Sequence, residues 1–164
     1  MGVGKTSLVD RFVWNRFSQD CKITIGVDIL TKEIELENYK IKLQLWDLGG
    51  ASRFKMFMPL YARGSAGGII MYDTTRTISF NHLGEWISLF KRNINEEEGP
   101  IPILGVGGKK DLINLRRIGF ENAKNYCSEY DIYDLIECSA KTGENVEKIF
   151  ESLTKKILTT RDFI

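Results

Sequence analysis

Apolar and polar positions follow different periods along the chain, and the period changes from one segment to the next. Residues 41–46 alternate apolar and polar side chains, a period of two that is typical of a strand with one buried face. Residues 68–72 form an apolar run, as expected for a strand covered on both faces. Helical spacing is clearest near the end of the chain, where one apolar stripe is formed by Val146, Ile149, Phe150, Leu153 and Ile157.

These patterns predict an alternation of helices and strands. Helices are predicted over residues 5–14, 80–90, 123–130 and 146–157, and strands over 29–36, 41–46, 67–72, 101–106 and 133–138. Such alternation favours an α/β fold with a mainly parallel sheet, in which 29–36 and 41–46 form an antiparallel hairpin at one edge. Neither a linker nor a repeat interrupts the 164 residues, so we expect one domain over 1–164.

Composition and charge argue against several classes of function. A net charge of +1 leaves no field that would draw the chain onto nucleic acid, and no stretch is long enough to span a membrane. Cys21, Cys127 and Cys138 fit no metal or disulfide spacing and are interpreted as reduced thiols. We expect a monomeric, cytoplasmic protein with no membrane anchor in this sequence, because residues 161–164 contain no cysteine to prenylate. Attachment through a partner or a further tail stays open.

Candidate chemistry begins at Gly2-Val3-Gly4-Lys5-Thr6, directly before the first predicted helix. Glycines let the backbone curl so that N–H groups point at phosphate oxygens, and the helix N-terminus adds its dipole. Lys5 can reach the terminal phosphates, and the Thr6 hydroxyl can bind Mg²⁺. The full phosphate-binding motif needs a further glycine five residues before Gly4, so an ordinary helix start stays an alternative.

Two further segments supply candidate contacts to a metal ion and to phosphate. Asp47, at the end of a predicted strand, can hold Mg²⁺, and Gly50 lets its own N–H approach a γ-phosphate. Thr24, in the polar loop after the first helix, is a candidate second hydroxyl ligand. Taken alone, each of these residues is equally typical of an ordinary turn or loop.

A candidate base pocket follows two later strands. Asp111 can accept hydrogen bonds from guanine N1–H and from the exocyclic amine, a donor pair that adenine does not offer. Lys109 can lay its aliphatic stem along the plane of the base. The last predicted strand is followed by Ser139, Ala140 and Lys141, where the Ala140 N–H is a candidate donor to guanine O6. Either segment alone is also typical of a solvated loop.

The order of these segments along the chain resembles the Ras-like small GTPases, and the Rab branch most closely. The likeness is carried by residues 24–28 (TIGVD), 42–47 (KLQLWD) and 137–145 (ECSAKTGEN). It implies the three-layer P-loop NTPase fold, with six strands, five helices and a nucleotide at the carboxyl ends of the strands. It also implies GTP and GDP as ligands, Mg²⁺ as cofactor, slow GTP hydrolysis and a switch function in membrane trafficking.

The same resemblance assigns roles to single residues. Nucleotide binding is implied for Gly2, Val3, Gly4, Lys5, Thr6, Ser7, Phe17, Thr24, Gly50, Lys109, Asp111, Ser139, Ala140 and Lys141. Catalytic roles are implied for Lys5, Thr24, Gly50 and Ala51, and metal binding for Thr6, Thr24 and Asp47. Switch loops at about 15–28 and 47–63 would meet effectors, exchange factors and GTPase-activating proteins. Trp46 matches a Rab effector position, and a packed strand tryptophan is an equally open interpretation.

Four departures from the family pattern modify these expectations. The first strand and the first phosphate-loop glycine have no counterpart, which predicts a gap in the sheet, lower stability and weaker nucleotide binding; an incomplete chain or a late start site is the favoured interpretation. Ala51 replaces the glutamine that orients the attacking water, which predicts slow hydrolysis unless a partner supplies that group or the water is placed in another way. Gly108 replaces an asparagine, so affinity should fall while Asp111 keeps the preference for guanine. Cys21 replaces a common switch tyrosine.

Three functions stay distinguishable at this point. The leading one is a switch that binds GTP and hydrolyses it slowly. The second is a pseudo-GTPase, a binding module without effective turnover, which Ala51 and the missing strand favour. The third, an ATP-dependent P-loop enzyme, is disfavoured by Asp111.

Overall fold

The computed structural model describes residues 2–19, 24–50, 52–94 and 100–163, with the side chains of 52–54 outside that description. Its first half contains helix α1 (Lys5–Trp14), strands β1 (Val27–Leu36) and β2 (Tyr39–Leu48), a 3-10 helix (Ser52–Phe57), helix α2 (Met58–Ala62) and strand β3 (Gly68–Asp73). Its second half contains α3 (Thr77–Asn81), α4 (Leu83–Lys91), β4 (Ile103–Gly108), a 3-10 turn (Ile113–Leu115), α5 (Phe120–Glu129), β5 (Asp134–Glu137) and α6 (Val146–Thr160). The described chain therefore alternates helices and strands as the sequence predicts.

Two sheets are formed from these strands. β1 and β2 pair antiparallel, with Ile34 opposite Ile41, and the tight connection between them has Glu37 in the left-handed conformation. β3, β4 and β5 form a parallel sheet in that order. Every residue of β4 is buried, because this strand is central and helices cover both of its faces. The α/β class with an antiparallel edge hairpin is confirmed.

A long apolar groove lies between the two sheets. It measures about 840 Å³ and is lined by residues 41–48 of β2 and 68–71 of β3. Consecutive residues of a strand point to opposite faces, so lining by all of them means that the backbone edges border the groove. Within the described ranges, β2 pairs only with β1 and β3 only with β4. We call this space the strand groove; it lies where the sequence predicts a gap in the sheet.

Two apolar clusters pack on the parallel sheet. One joins α1 and α6 to the sheet, and the Phe12 and Phe150 rings stack in it with centroids 3.7 Å apart. The other joins α4 and α5 to the sheet around Tyr72 and Ile87. None of the helices in the described ranges is long and apolar enough to cross a membrane.

Two local predictions need correction. The helix expected over 80–90 is two helices, α3 and α4, which meet at His82. β2 continues to Leu48, so Asp47 lies inside the strand and is fixed by its backbone pairing with Asp28. At the start of α6, the Asn145 side-chain amide donates to the Glu137 carbonyl at 2.7 Å.

Candidate functional site

The segment before α1 has the geometry of an anion-binding loop. Gly2 and Gly4 have φ of +74° and +104°, conformations that side-chain-bearing residues rarely adopt. Gly4 is the N-cap of α1, and no side chain caps the helix there. The first N–H groups of a helix have no partner within the helix. Residues 2–6, which we call the phosphate loop, therefore present backbone donors together with the positive end of the helix dipole.

Three oxygen-bearing side chains from separate segments meet beside this loop. Thr6 Oγ1 lies 2.6 Å from Thr24 Oγ1 and donates to Asp47 Oδ2 at 2.5 Å. Thr24 Oγ1 lies 3.4 Å from the same carboxylate oxygen. Asp47 is 3% exposed, and its Oδ1 atom is buried without a hydrogen-bond partner among the residues that the structure describes. Hydroxyl and carboxylate oxygens suit Mg²⁺, so these residues fit the ion that the sequence predicts.

The buried charges of the loop favour bound ions of both signs. Burial lowers the pKa of Lys5, although the Asp47 carboxylate opposes this shift. Burial raises the pKa of Asp47, although the Thr6 hydroxyl and the Lys5 ammonium oppose this shift. A phosphate near Lys5 and a cation near Asp47 would each restore the charged form that burial disfavours. A β-carbon on Gly50 would lie 2.7 Å from Lys5 Nζ, so a side chain at residue 50 would displace the lysine tip, and glycine lets the two predicted phosphate contacts lie side by side.

The candidate Mg²⁺ ligands include more hydroxyl groups than carboxylates. Among the residues that the structure describes, no three His, Cys, Asp or Glu side chains converge as a group of metal ligands. Two of the three oxygens of the cluster come from threonine hydroxyls. Waters and phosphate oxygens normally complete a Mg²⁺ shell, so one carboxylate and two hydroxyls are a sufficient protein contribution.

The predicted base-reading residues also meet. Ser139 Oγ donates to Asp111 Oδ1 at 2.6 Å and accepts from the Thr142 N–H at 3.1 Å. The Lys110 N–H donates to the Cys138 carbonyl at 2.9 Å, which ties the loop after β4 to the end of β5. Ser139 is fully buried. Asp111 is thereby held by one hydrogen bond in a fixed orientation at the carboxyl ends of the strands, where a base would lie.

Two residues of this site escaped sequence reasoning. Arg11 on α1 donates to the carbonyls of Ala140 and Lys141, each at 2.7 Å, and so joins the phosphate-loop helix to the base pocket. Asp73 at the end of β3 is fully buried and pairs with Lys109, the two charged atoms lying 2.7 Å apart. A single charged residue near an element's end has no periodic signal, so neither stood out in the sequence.

The Asp73 carboxylate is expected to stabilise the fold in a pH-dependent way. Burial alone would raise the pKa of Asp73, but hydrogen bonds from Lys109 and Thr75 outweigh it and the pKa is lowered. A lowered folded-state pKa means that the stabilisation is complete above the unfolded value near about 4 and disappears as the pH falls through the folded value. Asp73→Asn should lower the free energy of unfolding by about 1.5–3 kcal/mol at pH 7.

Urea unfolding of Asp73→Asn and wild type at a series of pH values checks this expectation. The difference between the two proteins should shrink as the pH falls below about 4. Asp131→Asn is the matched control, because Asp131 pairs with Lys91 at 3.1 Å but its side chain is 91% exposed. An exposed pair contributes little, so this control should stay within about 0.5 kcal/mol of wild type. Equal effects of the two substitutions at pH 7 would contradict the assignment.

Other predicted residues are placed in different ways. Val3 belongs to the phosphate loop, and its side chain is buried in the core. Ser7 on α1 and Phe17 after it are half-buried. Lys141 is exposed, while its carbonyl accepts from Arg11. Ala51 and Cys21 lie outside the described residues, as does the part of the first switch loop at 20–23. Their expected roles stay predictions.

Trp46 lies on the hairpin at an exposed position. The residue is 43% exposed, and its ring packs at a tilt against Tyr61, with centroids 5.3 Å apart. Tyr61 in turn contacts Phe57, at 6.5 Å between centroids. The tryptophan is therefore both packed against a neighbour and accessible, so the two interpretations of its position are compatible.

Comparison with known proteins agrees with the family resemblance found in the sequence. The family model for the Ras family matches residues 1–159. The chain belongs to the Ras family. Among relatives of this Ras-family protein, "GTP-binding protein ypt3" of Schizosaccharomyces pombe is 38% identical over 156 residues, covering 95% of this chain and 71% of that protein. "Ras-related protein YPTC6" of Chlamydomonas reinhardtii is 35% identical over 169 residues, covering 98% and 76%. These relatives agree with the Rab-like branch of small GTPases inferred from the sequence.

Proposed function

We propose that this Ras-family protein binds GTP and GDP with Mg²⁺ and acts as a Rab-like switch. The observation that carries the proposal is the meeting of Thr6, Thr24 and Asp47 beside the phosphate loop, since these three come from distant parts of the chain. The orphaned Asp47 Oδ1 supports a cation there. The ypt3 relative is named as a GTP-binding protein, which supports the choice of nucleotide.

Each residue of the site has a distinct task in this proposal. Backbone N–H groups of the phosphate loop and the Lys5 ammonium hold the phosphates. Thr6, Thr24 and Asp47 would hold Mg²⁺, which would supply positive charge to neutralise the phosphate oxygens. Asp111, oriented by Ser139, accepts the guanine N1–H and amine hydrogens, which excludes adenine. The Ala140 N–H donates to guanine O6. The aliphatic stem of Lys109 covers the base.

Recognition of partners is proposed for the surface that joins the two switch loops. Trp46, Phe57 and Leu60 each expose between 42% and 69% of their surface there. Thr24 and Gly50, the proposed contacts of the γ-phosphate side, belong to the same loops. Loss of that phosphate would release both loops and alter the surface, so effectors, exchange factors and GTPase-activating proteins would distinguish the two nucleotide states.

Slow turnover is the finer part of the proposal. A methyl group at residue 51 cannot hydrogen-bond to the attacking water, so nothing at that position would orient it. Ala51→Gln is expected to raise the single-turnover rate of GTP hydrolysis by up to about tenfold, the value of one added hydrogen bond in the transition state. Ala51→Leu, similar in size but unable to hydrogen-bond, is the control and should match wild type. Equal rates for the glutamine and leucine variants would refute the role.

Analysis of the nucleotide that copurifies with the protein tests the whole proposal. Nucleotide extracted from the folded protein should be guanine nucleotide, in a ratio close to one per chain. GDP would support turnover or loading with GDP, and GTP would support binding with little turnover, the pseudo-GTPase that residue 51 also favours. Adenine nucleotide, or no nucleotide and no binding after addition of GDP with Mg²⁺, would overturn it.

A further inference from the structure

The terminal methyl group of Met71 lies between the phosphate loop and the loop of residues 108–111, which we call the base loop. A β-carbon on Gly4 would lie 3.5 Å from Met71 Cε, an ordinary van der Waals contact. A β-carbon on Gly108 would overlap that same methyl group and would lie 3.0 Å from the Val3 carbonyl oxygen. Met71 is 8% exposed and belongs to the core cluster with Val3 and Leu8. One methionine tip therefore lies beside both loops.

A side chain at residue 108 would compete for space with the tip of Met71. Gly108 does not share the positive φ of Gly2 and Gly4, so its backbone conformation is one that any residue adopts. Among the described residues, the atoms nearest to an added β-carbon are Met71 Cε and the Val3 carbonyl oxygen, so a side chain at 108 requires the methionine tip to shift and Val3 to give way slightly. The long side chain of Met71 thus occupies the space that a side chain at residue 108 would need.

The base loop cannot relieve this overlap by moving away from Met71. The Gly108 carbonyl accepts hydrogen bonds from the Thr74 N–H at 3.1 Å and from Thr74 Oγ1 at 3.0 Å. The next residue, Lys109, has φ of +64° and pairs with the buried Asp73. These contacts hold the loop on the end of β3, the strand that also carries Met71.

We propose that Met71 is a positioning residue for the nucleotide: its methyl group fills the space left by Gly108 and sets the separation of the phosphate loop from the base loop. The inference rests on the proposed nucleotide binding, because one bound nucleotide must reach Lys5 and Asp111 together. Met71 does not touch the ligand in this arrangement; it acts through Gly4 and Gly108.

A double-mutant cycle tests the shared space. The variants are Met71→Ala, Gly108→Ala and the double substitution, because alanine adds a β-carbon at residue 108 without the polar contacts that asparagine would make there. The dissociation rate of N-methylanthraniloyl-GDP, measured with Mg²⁺ at a temperature well below melting, should rise roughly tenfold in each single variant. In the double variant the new side chain occupies the vacated space, and the rate should return to within about threefold of wild type.

A control separates positioning from general loss of stability. Gly105, also on β4, is crowded by Cys127 Sγ and Leu135 Cδ1, which would lie 3.0 and 3.1 Å from an added β-carbon. Gly105→Ala should lower the melting temperature, leave the dissociation rate within about twofold of wild type, and gain nothing from Met71→Ala. A double variant at 71 and 108 that releases nucleotide faster than either single variant would overturn the proposal.

Failure of this inference and failure of the proposed function give different results. Absence of guanine-nucleotide binding by wild type would overturn the proposed function, and with it the positioning role. The melting temperatures of the nucleotide-free proteins would still decide the packing: recovery in the double variant supports one shared space, and additive losses refute it. If wild type binds guanine nucleotide normally but the effects of the two substitutions on the dissociation rate simply add in the double variant, only the positioning role of Met71 is overturned.

Discussion

Asp111→Asn is expected to lower the affinity for GDP by about 10²–10⁴-fold. The carboxylate is proposed to accept two hydrogen bonds from guanine, each worth about 1.5–3 kcal/mol because the acceptor is charged. Loss of both corresponds to that range of affinity. Asparagine keeps an Oδ1 atom in place to accept from Ser139, whose hydroxyl donates at 2.6 Å in the wild-type protein. The loop should therefore keep its shape while the base contact is lost.

The same substitution should improve binding of a xanthine nucleotide. Xanthine carries a carbonyl where guanine carries the exocyclic amine, and the asparagine amide can donate to it. Titration of wild type and Asp111→Asn with GDP and xanthosine diphosphate measures both changes. Asp134→Asn serves as the control, since Asp134 is an exposed residue on β5 that accepts from the Leu135 N–H. If Asp111→Asn loses affinity for GDP and for xanthosine diphosphate to the same extent, the proposed contact between residue 111 and the base is wrong.

Adding an apolar strand before residue 1 is expected to raise the melting temperature by roughly 10 °C or more. The strand groove presents two backbone edges and apolar walls, including Leu43 and Leu45 of β2 and Leu153 and Ile157 of α6. A strand of about six residues, the length of β3, would pair with both edges and bury side chains on both faces. Burial contributes about 1.5–3 kcal/mol per large side chain against about 1–2 kcal/mol per residue for ordering, and the added hydrogen bonds leave a net gain of several kcal/mol.

Melting of three forms of the protein checks this expectation. They are the chain as given, a chain extended by a strand rich in valine and isoleucine, and a chain extended by glycine and serine to the same length. The glycine-serine form should melt within about 2 °C of the original, since such a segment stays flexible. Hydrogen exchange should slow at the edges of β2 and β3 only in the apolar form. Equal melting temperatures for the two extended forms would sink the prediction.

Much of the fold and of the site was predictable because each depends on local pattern. The alternation in 41–46 and the stripe on the last helix are set by which faces are buried, and both elements are observed. The convergence of Thr6, Thr24 and Asp47 was predictable from the resemblance to the Ras-like small GTPases, which implies that these three segments contribute to one metal site. A full phosphate-loop motif was not needed for that inference.

What escaped prediction depends on contacts between distant residues. The pairing of Asp73 with Lys109 spans two strands, and the bonds of Arg11 to residues 140–141 link the first helix to the last loop. The break at His82 separates two helices whose apolar residues still share one spacing. Local periodicity records which side of an element is buried, but it carries no information about which distant residue lies opposite.

The two buried thiols make it possible to measure how often the core opens, through the rate at which they are alkylated. Cys127 and Cys138 are both buried, and burial raises their pKa values to about 11 and about 12. Almost no thiolate forms at pH 7, so alkylation can proceed only when the surrounding structure opens. In a Cys21→Ser background, the labelling rate of Cys138 would time the opening of the segment behind the base loop. The Cys138 carbonyl accepts a hydrogen bond from the Lys110 N–H of the base loop. A ligand that orders the base loop should therefore lower the alkylation rate of Cys138.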